Sequence, residues 1–339
     1  NERPPCCGGR STFAPRTSSV SMKVIDHLKQ AKKRTLFSFE ILPPLKGKDI
    51  HSIYEGIDPL LEFKPSFINV TYHREEVIYK ERGHGLLQKI RLRKRPGTIG
   101  ICATIKTKYD IDTVPHLICG GFSREETEDA LIELNFLGID NVLALRGDAI
   151  KNESHFIPER EGHPFAVDLI RQAAGLNKGQ YLHDEEMEAA PTDLCIGAAC
   201  YPEKHPEALN LNVDVAYLKN KVDAGAEYLV TQMFFDNTKY FSFVEQCRAA
   251  GITVPIIPGL KPITTMRHIA FLPKTFRVDL PDAFAKELVK CKTNDAVKAV
   301  GVEWSIAQSK ELMAKGAPCL HYYTMGKSDA VKQVVSSVF

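Results

Sequence analysis

Three polar side chains stand in or shortly after short apolar runs of this sequence, where strands would end. Glu40 lies near the end of TLFSFEIL, Asp148 shortly follows NVLAL, and Gln232 lies inside YLVTQMFFD. A carboxyl group that is partly removed from water keeps its proton to higher pH and can donate it near neutrality. Glu40 is therefore a candidate general acid. Its strand position alone fits equally well a buried glutamate that is paired with a neighbouring Lys or Arg.

The elements that would position these residues alternate along the chain. Eight apolar runs separated by helix-like stretches predict strands at Thr35–Leu42, Phe67–Val70, Val114–Cys119, Asn141–Leu145, Cys195–Cys200, Tyr228–Phe235, Val254–Pro258 and Leu320–Thr324. Eight strand–helix units close a (β/α)8 TIM barrel, in which residues at the carboxyl ends of the strands do the chemistry. Ile99–Ile105 is an alternative third strand, although Val114–Cys119 is favoured. Because no composition break divides residues 22–339, we expect one α/β domain.

Successive side chains of a strand point to opposite faces of the sheet, so the first strand presents two sets of side chains. Phe37, Phe39 and Ile41 would face one side, and Ser38 and Glu40 the other. The bulky set suits the layer beneath the outer helices. Ser38 and Glu40 would then point into the barrel.

Other segments carry local signals. Ser123 and Glu126 form a capping box that opens a helix. The charged stretch Arg74–Arg95 predicts a long helix, and Asp329–Val338 predicts a closing one. The polar and acidic stretch 175–193 predicts a surface insertion.

Composition narrows the class of protein. The net charge is +2, which gives no indication of a nucleic-acid partner, and no run approaches the roughly 18 apolar residues of a membrane span. The nine cysteines include no C-x-x-C pair and no metal-like spacing with His. Cysteines within or beside apolar runs predict buried free thiols in a reducing cytoplasm, at Cys102, Cys119, Cys195, Cys200 and Cys319.

The first 21 residues differ from the rest of the chain. They are rich in Pro, Gly, Ser and Arg, show no periodicity, and lack the apolar core of a secretory signal. We expect residues 1–21 to be a disordered N-terminal extension.

The tripeptide Arg146-Gly147-Asp148 is a second candidate site. It would lie where the fourth strand opens onto the barrel mouth, and its glycine would let the backbone approach a ligand closely. The alternative is an ordinary Arg–Asp ion pair in a turn. His116, inside an apolar strand, is likewise either a ligand-binding residue or a hydrogen-bonded core histidine.

A polar stripe on the helix predicted over 207–225 is the third candidate. Asp214, Tyr217 and Lys221 recur at spacings of three and four residues, and Tyr201 and His205 precede them. The stripe predicts either a cofactor groove or a solvated helix face. No glycine-rich dinucleotide or phosphate motif is present, so a bound dinucleotide would be held in another way.

The ordered set of these motifs resembles the methylenetetrahydrofolate reductase family. The matching segments are FSFEILPP (37–44), INVTY (68–72), PHLIC (115–119), LALRGD (143–148), YPEKHPEA (201–208), KVDAGA (221–226), TQMFFD (231–236), PIIPGLKP (255–262) and HYYTM (321–325). The resemblance covers about Thr35–Met325 and implies the catalytic barrel of the bacterial enzymes. It does not extend to the C-terminal regulatory domain of the animal enzymes.

The resemblance implies an activity. Members of this family use FAD to pass a hydride from NADH or NADPH to 5,10-methylenetetrahydrofolate, in ping-pong fashion. Glu40 matches the acid that helps open the methylene bridge of the folate to an iminium. Asp148 matches the aspartate between flavin and pterin, and Gln232 a glutamine that contacts the folate. The family also implies a homo-oligomer and no metal.

By the same resemblance, a larger set of positions would hold the ligands. The cofactor-binding positions are Thr71, Tyr72, His116, Arg146, Gly147, Asp148, Ala166, Tyr201, His205, Ala208, Asp214, Tyr217 and Lys221. Tyr323 and Lys327 join Asp148 and Gln232 as substrate-binding positions. The choice between NADH and NADPH stays open. Two alternatives also remain, namely another FAD-dependent barrel of the proline-dehydrogenase type and a flavin-free barrel that acts as a partner subunit.

Overall fold

The computed structural model describes residues 21–150, 153–183 and 189–339. The predicted extension at 1–21 lies outside the described residues except for Ser21, and part of the predicted insertion at 175–193 does so too. Within the described chain no helix is long and apolar enough to cross a membrane. The five cysteines predicted to be buried free thiols are confirmed as such.

Strands and helices alternate over most of the described chain. The strands are β1 (Leu36–Ile41), β2 (Phe67–Val70), β3 (Glu76–Glu81), β4 (Leu87–Leu92), β5 (Asp112–Ile118), β6 (Asn141–Leu145), β7 (Cys195–Cys200), β8 (Tyr228–Thr231), β9 (Ile256–Ile257), β10 (Gly259–Leu260) and β11 (Cys319–Tyr323). The helices are α1 (Val24–Gln30), α2 (His51–Ile57), α3 (Thr98–Tyr109), α4 (Arg124–Phe136), α5 (Ala166–Leu176), α6 (Leu211–Asp223), α7 (Asn237–Ala249), α8 (Met266–Phe276), α9 (Asp282–Lys290), α10 (Asn294–Ala314) and α11 (Asp329–Val338). A 3-10 helix at Asp58–Phe63 continues α2.

The parallel strands form a barrel in the order β10-β11-β1-β2-β5-β6-β7-β8-β9, which confirms the predicted fold class. The seventh strand, predicted over Val254–Pro258, is instead split into β9 and β10 at Pro258. Proline has no N–H to donate to a neighbouring strand, so the ladder is interrupted there. β9 pairs with β8 and β10 with β11, and the His321 N–H donates to the Pro258 carbonyl at 3.0 Å.

The structure corrects one sequence prediction and decides between two others. The helix predicted over Arg74–Arg95 is wrong, since β3 and β4 form an antiparallel hairpin there. Its turn contains Gly83, His84 and Gly85, all with positive φ, which suits a tight turn and ends any helix. The alternative third strand, Ile99–Ile105, lies inside α3, and the favoured one is β5.

The outer faces of the strands pack under the helices, as alternation predicts. Phe37, Phe39 and Ile41 belong to one apolar cluster with residues of α2 and α11, and Phe39 is fully buried. Burying a side chain of that size stabilises the fold by roughly 1.5–3 kcal/mol. The opposite face of β1 is thereby turned toward the barrel interior.

The amino-terminal end of the barrel is closed and apolar. Leu36, Phe67 and Tyr228 form a cluster there with Val24 of α1. The N–H of Val24 donates to Asn141 Oδ1 at 2.7 Å, which holds α1 across this end. This end is therefore filled by apolar side chains and covered by α1.

Above this base lies a layer of buried polar side chains. Ser38 Oγ lies 2.9 Å from His321 Nδ1, and the His321 ring stacks on Phe67 at 6.4 Å. His321 is fully buried, and its Nε2 has no partner among the described residues. Burial, together with the nearby His116, lowers the pKa of His321 to about 3. The ring is therefore neutral at physiological pH.

The helix α10 passes close to the chain at Ile263. A Cβ at Gly301 would overlap the Ile263 carbonyl, whereas one at Gly100 of α3 would meet nothing within 4 Å. We expect Gly301→Ala to lower the free energy of unfolding by about 2–4 kcal/mol, because the backbones must move apart. Gly100→Ala is the matched control and should raise it by about 0.5–1 kcal/mol through helix propensity. Urea denaturation checks both values, and equal effects would contradict this role of Gly301.

The neutral burial of His321 should make the fold sensitive to acid. Its pKa is depressed in the folded state, so the unfolded chain binds the proton first as the pH falls from about 6.5 toward 3. Over that range each such histidine lowers the free energy of unfolding by up to about 1.4 kcal/mol per pH unit. We expect His321→Gln to make the free energy of unfolding less dependent on pH, by up to about 1.4 kcal/mol per pH unit in this range. Urea denaturation at several pH values measures this dependence. His51→Gln, at an exposed position on α2, controls for the substitution. An unchanged slope would contradict the assignment.

Candidate active site

The three residues proposed for the chemistry, Glu40, Asp148 and Gln232, all lie at the carboxyl face of the barrel. Glu40 is the penultimate residue of β1, Asp148 follows β6, and Gln232 directly follows β8. Gln232 N–H donates to the Cys200 carbonyl at 2.8 Å, and its Oε1 accepts from the Met233 N–H. Asp148 is exposed. The three residues therefore share one face of the barrel.

Glu40 points into the barrel mouth. Its neighbours in register are Tyr323 on β11 and Asn69 on β2, and about 13% of its side chain is exposed. Glu40 Oε2 lies 3.5 Å from His116 Nε2. Burial raises the pKa of Glu40 to about 8, and the charge of Lys261 opposes this rise. The carboxyl group therefore carries a proton at neutral pH.

His116 is a neutral partner of this carboxyl group. Burial, together with the charge of His73, lowers its pKa to about 3. The Asn69 amide donates to His116 Nε2 at 3.2 Å. Since Glu40 is protonated and His116 is not, their contact joins two neutral groups and is no ion pair. His116 is thus both hydrogen-bonded and part of the candidate site.

Two buried polar atoms at the mouth have no partner. They are Asn69 Oδ1 and Thr71 Oγ1, both on or just after β2. Thr71 is anchored through its backbone, whose carbonyl accepts from Thr98 Oγ1 at 3.1 Å. Unsatisfied buried polar atoms are costly and rare, so they favour a ligand with hydrogen-bonding edges at this place. Sequence reasoning missed Asn69, although a polar residue within the apolar strand FINV was the signal.

Arg146 marks a second group of candidates on the rim. Its guanidinium makes a two-pronged ion pair with Glu207, at 2.6 and 2.7 Å, and lies 5.1 Å from the Phe156 ring. Gly147 follows with φ +84° and packs against Ile118. Arg146 is therefore paired with Glu207 and not with Asp148, so the simple Arg–Asp turn suggested by the sequence is not what forms.

The remaining rim residues form one connected set. The Tyr201 and His205 rings meet edge to face at 4.7 Å, and the His205 N–H donates to Asp214 Oδ2 at 2.7 Å. Lys221 Nζ donates to the Ala199 carbonyl at 3.0 Å. Burial lowers the pKa of Lys221, and the charge of Arg146 lowers it too. Two cationic side chains, Arg146 and Lys221, therefore lie near each other at this rim, which suits an anionic ligand.

The other predicted positions lie around these two groups. The Tyr323 hydroxyl donates to the Thr231 carbonyl at 2.6 Å, and Tyr72 packs against Phe122 at 5.0 Å. Ala166 begins α5, the Ala208 carbonyl accepts from Lys204 Nζ, and Tyr217 and Lys327 are exposed. The described residues include no group of three or more His, Cys, Asp or Glu side chains that could hold a metal ion.

Comparison with known proteins agrees with this arrangement. The model of the methylenetetrahydrofolate reductase family matches residues 23–338. The chain is 32% identical to methylenetetrahydrofolate reductase 1 of Schizosaccharomyces pombe, over 93% of this chain and 48% of that protein. It is 31% identical to the 5,10-methylenetetrahydrofolate reductase of Salmonella typhimurium, over 86% of each. The chain thus spans about half the length of the eukaryotic relatives and most of the bacterial one.

A solved structure shares the fold. It is an uncharacterized protein from Clostridium thermocellum that binds two copies of 5-methyl-5,6,7,8-tetrahydrofolic acid, with a TM-score of 0.56 and 15% identity. The match covers 92% of this chain and 97% of that one. At this identity the match supports the barrel alone. The family match over nearly the whole barrel goes further: this chain belongs to the methylenetetrahydrofolate reductase family.

Proposed function

We propose that the chain catalyses the reduction of 5,10-methylenetetrahydrofolate to 5-methyltetrahydrofolate, with FAD as cofactor and NADH or NADPH as hydride donor. The observation that carries this proposal is the buried Glu40 carboxyl, which holds a proton at neutral pH at the open end of the barrel. Membership in the family supports the same reading. When bound, FAD would accept the hydride of the nicotinamide and deliver it to the folate.

Glu40 would act as the general acid on the folate. The methylene group bridges two nitrogens, and a hydride adds readily only after one of the two C–N bonds opens to an iminium. Protonation of the departing nitrogen by Glu40 stabilises that opening. Neutral His116, 3.5 Å away, is too weak a base to draw off the proton of the carboxyl group. Asp148 and Gln232, on the same face, are proposed to bind the folate.

The residues present suit FAD as well. Asn69 Oδ1 and Thr71 Oγ1 are buried atoms that lack partners, and the edge of a flavin ring carries hydrogen-bonding groups. Arg146 and Lys221 would balance the negative charge of the FAD diphosphate without a glycine-rich loop. Glu207 is more than half exposed, so its pairing with Arg146 can give way to a phosphate. Tyr201, His205 and Asp214 belong to the same rim set.

Replacing Glu40 should affect the two halves of the reaction, folate reduction and flavin reduction, differently. We expect Glu40→Gln to slow folate reduction by about 10²–10⁴-fold, because only that half needs a proton donor. Flavin reduction by NADH or NADPH should persist. Stopped-flow absorbance of the flavin measures each half separately. Glu62→Gln, which removes an exposed carboxyl outside the barrel that pairs with Lys332, is the control. Equal loss in both halves would argue against an acid role.

Replacing a rim cation tests the cofactor assignment without relying on turnover. We expect Lys221→Met to weaken FAD binding about tenfold or more, because a buried ammonium that faces a diphosphate is lost. Titrating cofactor-free protein with FAD and following flavin fluorescence gives the affinity. Lys219→Met is the matched control on α6, since that ammonium pairs with Asp223. A wild-type protein that is colourless and takes up no added FAD would refute the proposed function.

A further inference from the structure

Lys261 is a buried lysine at the mouth of the barrel whose role is not explained by the fold. Only 5% of the residue is exposed. The negative charges that act on its ammonium are those of Glu40 and Asp329. A buried ammonium is costly unless a negative charge compensates it. Sequence reasoning passed over this residue, which follows the apolar run PIIPGL.

Lys261 directly follows β10, and continued strand alternation places it in the same row as Glu40. Leu260 on β10 pairs with Tyr322 on β11, and both face the outer helices. The next residues, Lys261 and Tyr323, therefore face the interior. Tyr323 in turn pairs with Glu40 on β1. Two strand spacings separate the Cα atoms of Lys261 and Glu40 by roughly 10 Å, a gap that a lysine side chain reaches across.

Two acidic groups act on the Lys261 ammonium, Glu40 of β1 and Asp329 of α11. Lys261 in turn acts on His268 of α8. Burial lowers the pKa of His268 to about 4, with Lys261 and then Arg267 adding to the effect, so that ring is neutral. Asp329 is well exposed and already pairs with Lys298. Glu40 is thus the buried group whose charge depends on Lys261.

The charges of the pair are linked. Burial lowers the pKa of Lys261 to about 8, and the negative charge of Glu40 opposes this. Burial raises the pKa of Glu40 to about 8, and the positive charge of Lys261 opposes that. Each residue therefore favours the charged form of the other. At neutral pH, Glu40 holds its proton until a base takes it.

We infer that Lys261 is a positioning residue for the acid Glu40, whose ammonium compensates the carboxylate that remains when Glu40 gives its proton to the folate. This inference rests on the proposed function. In the step, the Glu40 O–H bond breaks and an N–H bond forms on the departing nitrogen, which keeps the electron pair of the broken C–N bond. Lys261 keeps its three protons, and no electrons are exchanged. Without it, proton transfer would leave an uncompensated carboxylate away from water.

Removing the charge should change both the rate and the pH dependence of folate reduction. We expect Lys261→Met to lower kcat for that half-reaction about tenfold, with a smaller change in KM, because the carboxylate product of proton transfer is less stable. Activity needs protonated Glu40 and is lost as the pH rises through its pKa. The loss of Lys261 raises that pKa, so the alkaline limb should move up by roughly 1 pH unit.

Two further variants identify the charge as the cause. Lys261→Arg keeps the charge and should restore the position of the alkaline limb. Lys23→Met removes a partly buried ammonium that pairs with Asp193 at the closed end of the barrel, and it should leave the limb unchanged. An alkaline limb in Lys261→Met at the wild-type position would overturn the inference.

A stability measurement tests the pair independently of turnover. Urea unfolding of the wild type, Glu40→Gln, Lys261→Met and the double variant gives a double-mutant cycle at pH 8, where each group is about half charged. We expect the unfolding equilibrium constant to show coupling of about fivefold or more, because each single variant strands the other charge. Additive effects overturn the inference whatever the protein catalyses. Coupling in a protein that does not reduce methylenetetrahydrofolate leaves the pair standing and refutes the proposed function instead.

Discussion

The chemistry of this barrel depends on removing one carboxyl group from water. Glu40 stands near the end of β1 with Asn69 and Tyr323 beside it in register and the neutral ring of His116 at 3.5 Å. In that environment the charged form is poorly solvated, so the proton stays until a stronger base arrives. A solvent-exposed glutamate would have lost it at neutral pH. The surrounding architecture can be understood as what keeps this group dry yet reachable.

The side chains inside the barrel become more polar from its amino-terminal end to its carboxyl end. The amino-terminal end is apolar and closed by α1, which Asn141 holds through hydrogen bonds in both directions. Ser38 and His321 form the layer above, buried but hydrogen-bonded. The carboxyl end carries Glu40 and His116 and, among the buried atoms of the described residues that lack a partner, Asn69 Oδ1 and Thr71 Oγ1. At the carboxyl end a ligand or water can complete the hydrogen bonds that buried polar side chains leave unmade.

Short sequence patterns predicted most of the helices and strands. The capping box at Ser123 and Glu126 is formed, with both hydrogen bonds present, because it joins residues only three apart. The closing helix Asp329–Val338 has the predicted bounds. The stretch Arg74–Arg95 was misread because charge density suggested a helix, whereas two glycines at its centre favour a turn between strands. The split at Pro258 depends on which strands flank it, and that is not a local property.

The sequence alone determined the barrel, the inward direction of Ser38 and Glu40, and the residues that match the family, because strand periodicity and ordered motifs are written in neighbouring residues. Tertiary structure decided which groups meet. Arg146 pairs with Glu207 rather than Asp148, Asn69 bonds to His116, and Lys261 shares a row with Glu40. The two members of each of these pairs are 47 to 221 positions apart in the sequence. The pKa of a buried acid depends on the water it has lost and on the charges across the barrel, and neither exists until the sheet closes.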